Sequence, residues 1–142
     1  MTQLIPSIAF DGNAEEAFNF YRSVFGGEFS SLMRWKDNPS CKDWSEADKN
    51  LIMHAALPVG QGVLMGNDLP KAMGQSLKPG NNFNVAIAPD TREEADRLFN
   101  RLSEGGQPKM PMQDMFWGGY FGALTDKFGI QWMINYDSNQ GK

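Results

Sequence analysis

Two stretches decide the fold, NAEEAFNFYRSVFGG at residues 13–27 and TREEADRLFNRLSEGG at residues 91–106. Each opens on a capping residue and continues with two glutamates and an alanine. Each then sets apolar residues at helical spacing and stops at a glycine pair. In the first, Asn13 is the expected N-cap, with Glu15 and Glu16 in the first turn, where the helix dipole favours negative charge. Ala17, Tyr21 and Val24 share one face, flanked by Phe18 and Phe25. In the second, Thr91 or Asp90 caps, and Thr91 and Glu94 have capping-box spacing. Ala95, Leu98, Phe99 and Leu102 point inward. Superposed on Glu15/Glu93 and Gly26/Gly105, the two stretches differ by one residue, which the end of the second helix absorbs.

The flanking sequence repeats as well. Residues 4–10 read as a strand, residues 14–25 as a helix and residues 28–35 as a second strand. Residues 51–59 and 62–66 form a hairpin through Gly60-Gln61. The second half offers a strand at 83–88, a helix at 93–103 and an edge strand at 107–113, interrupted by Pro108 and Pro111. A hairpin of 119–125 with 130–135 closes it. Each half is therefore strand, helix, then three strands. Four strands and one helix cannot hide both sheet faces, so two such modules are expected side by side, with curved sheets around a cavity. The class is α+β, one domain over 1–142: a module at about 1–70, a connector at 71–82 and a module at about 83–137. The polar stretch Lys36–Lys49, bracketed by Trp35 and Trp44, reads as a long functional or mobile loop folded back on something apolar.

Composition narrows the function. The 142 residues are 41% hydrophobic with a net charge of −4, enough apolar material for a core. An acidic chain without a basic stripe is a poor partner for nucleic acid and for anionic membranes. No apolar run is long enough to span a bilayer, and residues 1–6 lack the features of a signal peptide. The one cysteine, Cys41, forbids an intrachain disulfide and suits a cytoplasmic location. It reads as a spectator thiol.

The paired βαβββ plan resembles the vicinal oxygen chelate superfamily of glyoxalase I, bleomycin-resistance proteins and extradiol dioxygenases. Particular residues sharpen the likeness to its PhnB-like branch: FDGNAEEAFNFY at 10–21, Phe25-Gly26-Gly27-Glu28, His54-Ala55 and LMGNDLP at 64–70. The best match is Phe116-Trp117, Phe121-Gly122, Thr125-Asp126-Lys127-Phe128-Gly129 and Trp132-Met133-Ile134-Asn135. The resemblance spans essentially the whole chain. It implies the fold, a cytoplasmic protein and a homodimer, but no particular reaction. Some members carry a label resembling demethylubiquinone methyltransferase. This chain has no glycine-rich strand-to-helix nucleotide motif to support it. Metal-dependent relatives place His or Glu ligands on the first and last strands of each module. The matching positions fall near Ile5, Met65, Asn84 and Met133, none of them a divalent-metal donor of that class. No metal and no cofactor are expected.

The candidate site residues follow. His54, the one histidine, suits a general acid/base and is expected to share an apolar face with Ile52 and Ala56. A hydrogen-bonded sheet histidine is the alternative. Phe116 and Trp117, with Tyr120 close by, form either a stacking wall for a planar ligand or a plug or dimer contact. Trp132 with Ile130 and Ile134 reads as core, leaving Gln131, Met133 and Asn135 on the opposite face. Asp68 and Asp114, at strand ends, are either ligand-orienting or turn residues, and Met65 and Met133 are candidate lining. The expected partner is a small, partly apolar or aromatic metabolite, bound by a metal-independent enzyme with His54 as acid/base or by a sequestering protein.

Overall fold

The computed structural model describes residues 2–137, which divide into two compact units on either side of Lys78–Pro79. In the first unit lie β1 (Ser7–Phe10), α1 (Ala14–Phe25), β2 (Ser31–Arg34), the single-turn α2 (Glu46–Lys49), β3 (Ile52–Val59) and β4 (Gly62–Asp68). In the second lie β5 (Val85–Ile87), α3 (Arg92–Ser103), β6 (Gln107–Asp114), β7 (Gly119–Thr125) and β8 (Gln131–Asp137). The two sheets have the same order, β1-β4-β3-β2 and β5-β8-β7-β6. In each, the first strand runs parallel to the last and the other pairs are antiparallel. The repeat read from the two helices is thus a repeat of topology.

Each helix covers one face of its own sheet, and a glycine lets it approach. A Cβ on Gly66 would lie 2.5 Å from Cε1 of Phe18 and 2.9 Å from the carbonyl oxygen of Ile8. A Cβ on Gly122 would lie 3.1 Å from the Phe99 ring. Residues directly opposite in a ladder share a face. Gly66 therefore places Ile8, Ala55 and Leu57 under α1, and Gly122 places Leu124, Trp132 and Ile134 under α3. These residues are buried with Phe18, Tyr21, Leu98 and Leu102 and make the cores. The faces away from the helices carry His54, Ala56 and Met65 in the first sheet, and Phe121, Ala123, Met133 and Asn135 in the second.

The glycine pairs do different work. Gly26 and Gly27 both have φ of 81° after α1. After α3 only Gly105 is positive, at 74°, and Gly106 is needed for close approach, since a Cβ there would lie 2.3 Å from the carbonyl oxygen of Thr125.

Several local expectations are corrected. Asn13 occupies the N-cap position of α1, but its side chain makes no cap bond. The acceptor is Asp68, whose Oδ1 takes the backbone N–H groups of Gly12 (3.0 Å) and Ala14 (2.9 Å). The first strand begins at Ser7 rather than Leu4, which is fully exposed. The polar stretch after Trp35 is not one open loop. It forms 3-10 turns at Trp35–Asp37 and Pro39–Cys41, then α2. Asn38 and Ser45 cap these turns, accepting from the N–H groups of Ser40 and Asp48. The Trp35 and Trp44 rings meet at 5.3 Å between centroids, and Cys41 is buried.

Candidate functional site

The hairpin loop between β6 and β7 is closed by its own backbone. Met115 N–H donates to Gly119 O at 2.8 Å, and Gly118 N–H to Met115 O at 3.0 Å. Gly118, with φ of 98°, supplies the turn that an L side chain resists. This leaves two large rings at the tip. Phe116 is 97% exposed and Trp117 50% exposed. They pack edge to face at 5.4 Å, and Trp117 meets Phe121 edge to face at 6.1 Å. Rings this exposed contribute little to a core.

Trp117 lies over the face of the second sheet that α3 leaves open. Gly119 sits on that face beneath it. A Cβ on Gly119 would be 2.5 Å from Nε1 of Trp117 and 2.6 Å from Oδ1 of Asn135. The indole edge and the amide oxygen thus occupy the space that a side chain at 119 would need. Oδ1 of Asn135 is buried and has no hydrogen-bond partner among the described residues. A carbonyl oxygen removed from water without a donor is costly, and such groups cluster where function or a missing partner explains them. Phe121 was not among the residues singled out for the site, and Asn135 was placed only on the face opposite Trp132. Alternation along β8 sets Asn135 opposite Trp132, but nothing local marks it as unpaired.

Asp114 and Tyr120, by contrast, lie on the helix side. Asp114 makes a two-pronged ion pair with Arg92 of α3, at 2.9 and 2.8 Å. The Arg92 guanidinium lies 3.8 Å from the centroid of the Tyr120 ring, and the Tyr120 hydroxyl donates to Asp96 Oδ1 at 2.5 Å. The hydrogen bond from Arg92 holds the Asp114 carboxyl below its ordinary range and raises Arg92 in turn. The bond to Asp96, with desolvation behind it, raises the Tyr120 phenol. These groups fasten both ends of the aromatic loop to the start of α3. Strand alternation separates them from Trp117, although all lie within seven residues.

Asp68 is buried, 1% exposed, beneath α1. Besides Gly12 and Ala14 it accepts from Ile52 N–H through Oδ2 at 2.9 Å. Its oxygens serve the junction of three chain segments. His54 is half-buried on the open face of the first sheet, opposite Met33. It shares that face with Ala56 but not with Ile52, as alternation predicted. The register shifts between Met33 and Arg34, so Ile52 pairs with Arg34 and turns to the helix side, where Arg34 reaches Glu15 of α1. Met65 is on His54's face, opposite Ala56. Met133 is on the open face of the second sheet, between Ala123 and Ala86.

The positions near which the resemblance sets the superfamily's metal ligands carry side chains that do not fit a divalent ion. Met65 and Met133 offer thioethers, Ile5 no donor and Asn84 one neutral amide. Among the described residues no three His, Cys, Asp or Glu side chains come together.

Comparison with known proteins joins this geometry to a family. A family model described as 3-demethylubiquinone-9 3-methyltransferase matches residues 2–135. The crystal structure of protein PA1353 from Pseudomonas aeruginosa is similar at a TM-score of 0.84 and 37% identity, over 96% of this chain and 98% of that one. A PhnB protein from Bacillus cereus is similar at 0.73 and 26% identity, over 95% and 99%. A glyoxylase/bleomycin resistance protein/dioxygenase domain from Frankia sp. EAN1pec shares the fold, at 0.67 and 14% identity, over 100% and 96%.

Proposed function

This chain belongs to the 3-demethylubiquinone-9 3-methyltransferase (PhnB-like) family, with the glyoxalase/bleomycin-resistance/dioxygenase fold, and from that premise we propose that it binds a small, partly apolar or aromatic metabolite without a metal. The binding surface is the open face of the second sheet, walled by Trp117, Phe116 and Phe121. The observation that carries this reading is the half-exposed Trp117 ring held over Gly119 beside the unpartnered oxygen of Asn135. Aromatic walls with a few placed polar atoms are the usual make-up of small-molecule sites.

The reaction in the family's description is not part of this reading. The glycine pairs of the chain follow helices α1 and α3 rather than opening them, so neither can cradle a nucleotide-like cofactor at a helix start. The reading places the protein in the cytoplasm as a homodimer, as the family resemblance implies. Among the described residues no helix is long and apolar enough to cross a membrane.

A second reading adds chemistry. His54 lies half-buried on the open face of the first sheet, where an imidazole can exchange a proton with a bound molecule. Once a ligand is found, its turnover by the wild type and by His54→Gln separates an enzyme from a sequestering protein.

The test of the main reading is a thermal-shift screen against aromatic metabolites and divalent metals, with and without a chelator. The expected result is stabilisation by an aromatic compound that survives the chelator. Large stabilisation by nickel, zinc or manganese, lost on chelation, overturns the metal-independent reading.

A further inference from the structure

The open face of the first sheet sets the one histidine of the chain beside two methionines. We propose that Met33, His54 and Met65 together bind a soft monovalent metal ion, Cu(I), through two thioether sulfurs and one imidazole nitrogen. The site belongs to the first unit and does not rest on the reading of the second sheet.

Strand pairing brings the three side chains together. Met33 of β2 is directly opposite His54 of β3. Residues opposed in this way have Cβ atoms about 4.5–5.5 Å apart. Met65 of β4 is opposite Ala56, which follows His54 on the same face. His54 and Met65 are therefore diagonal neighbours, about 7–8 Å apart and within reach of long side chains. Methionine is unbranched and turns freely, so each sulfur can swing toward the imidazole. Because α1 covers the other face of the sheet, all three residues keep accessible surface. Met33 is 39% exposed, and His54 and Met65 are half-buried. An ion can approach all three from solvent.

The donor set selects the ion. Thioethers are soft donors that suit Cu(I), and imidazole suits copper as well. Zinc, calcium and magnesium ask for nitrogen, thiolate or oxygen donors. Among the described residues no three His, Cys, Asp or Glu side chains come together to supply them. Arg34 and Asp68, the charged residues of the four strands, both serve the helix side, where they meet Glu15 and the backbone at α1. A neutral face with two sulfurs and one nitrogen suits a soft monovalent ion. Cu(I) bound here occupies the imidazole nitrogen that the acid/base reading of His54 needs.

The experiment titrates the full chain with Cu(I) in anaerobic buffer containing acetonitrile, which keeps Cu(I) in solution and competes for it. Methionine methyl and histidine ring signals in the NMR spectrum read the binding. The expected result is that the Met33 and Met65 methyl signals and the His54 ring signals move together and saturate at one ion per chain. Ag(I), a soft ion without redox chemistry, should move the same signals, and Zn(II) should leave the methyl signals in place. Met33→Leu, Met65→Leu and His54→Gln should each weaken Cu(I) binding about tenfold or more. The leucine changes conserve volume, and circular dichroism establishes that each variant is folded. Cys41→Ala, which removes the buried thiol, and Met73→Leu, which removes an exposed methionine outside the sheet, should bind as wild type does. Methyl signals of Met33 and Met65 that neither Cu(I) nor Ag(I) moves overturn the site. Binding that survives the three site variants and is lost in Cys41→Ala also overturns it. Zn(II) binding as tight as that of Cu(I), lost in His54→Gln but kept in both leucine variants, overturns the thioether ligands.

Discussion

Nε1 of Trp132 donates to Oδ2 of Asp126 at 2.8 Å inside the core of the second unit. The other oxygen of Asp126 accepts from Phe128 N–H at 2.8 Å and Ile130 N–H at 3.0 Å. One buried carboxylate therefore shapes the β7–β8 turn and fixes the largest side chain under α3. The Thr125-Asp126-Lys127-Phe128-Gly129 stretch and the tryptophan after it, the residues that most resemble the PhnB-like branch, are structural partners.

Trp132→Phe removes the indole donor from a buried carboxylate and should cost about 2 kcal/mol or more, beyond the lost packing. Asp126→Asn keeps an acceptor for the two backbone N–H groups but turns an amide N–H toward the indole N–H. Denaturant unfolding of both single variants and the double should show coupling of at least about 0.5 kcal/mol. Strictly additive losses contradict the pair.

Asp68→Ala should be among the most damaging changes in the first unit. It leaves the Gly12, Ala14 and Ile52 N–H groups without their acceptor at a buried junction. The expected loss is about 3 kcal/mol or more. Asp68→Asn, which retains one acceptor oxygen, should lose less. Equilibrium unfolding in urea measures both. If Asp68→Ala matched wild-type stability, the carboxylate would not be the cap of α1.

Two glycine substitutions should separate fold from site. Gly66→Ala drives a Cβ into the Phe18 ring and the Ile8 carbonyl and should destabilise by about 1–3 kcal/mol. Gly119→Ala drives a Cβ against the Trp117 indole and the Asn135 amide, so the half-exposed indole must shift; ligand binding should fall, with a smaller loss of stability than at Gly66. Thermal unfolding with and without the ligand found in the screen reads both effects.

The clamp behind the aromatic loop has a pH signature. The Asp114 carboxyl is lowered in the folded chain, so its contribution is present above the ordinary carboxylate range and is lost as pH falls through the lowered value. The Tyr120 phenol is raised, so its bond to Asp96 is present below the ordinary phenol range and is lost as pH rises through the raised value. Asp114 is exposed, so its effect on global stability should be small. NMR titration of the Asp114 carboxyl should show the lowered midpoint in wild type and its return toward the ordinary value in Arg92→Ala. An unchanged midpoint contradicts the clamp.

What the sequence revealed of all this has a physical pattern. The helices were legible because caps, first-turn glutamates and terminal glycines are local signals, and the repeat made the topology legible through them. The closing hairpin was legible through its alternation, which placed Trp132 in the core. Interactions that join distant segments were not legible. The cap of α1 comes from Asp68, more than fifty residues away, so the capping residue beside the helix was the wrong one to credit. His54 lost Ile52 as a face-mate because a register shift opposite Met33-Arg34 interrupts the alternation. Within the aromatic loop, composition placed Asp114, Trp117 and Tyr120 together, whereas the strands send them to opposite sides of the sheet. The unpaired oxygen of Asn135 has no sequence signal, because an unmet hydrogen bond is a property of the packed state.

The central claim is that a small aromatic molecule binds over the open face of the second sheet at Trp117. Indole N–H signals in a nitrogen-15 NMR spectrum test it directly, since the chain has four tryptophans. On titration with the compound that the thermal screen selects, the Trp117 signal should move while that of the buried Trp132 stays in place, and Trp117→Ala should abolish binding. A stationary Trp117 signal on a saturating titration, with affinity unchanged in Trp117→Ala, would contradict the account.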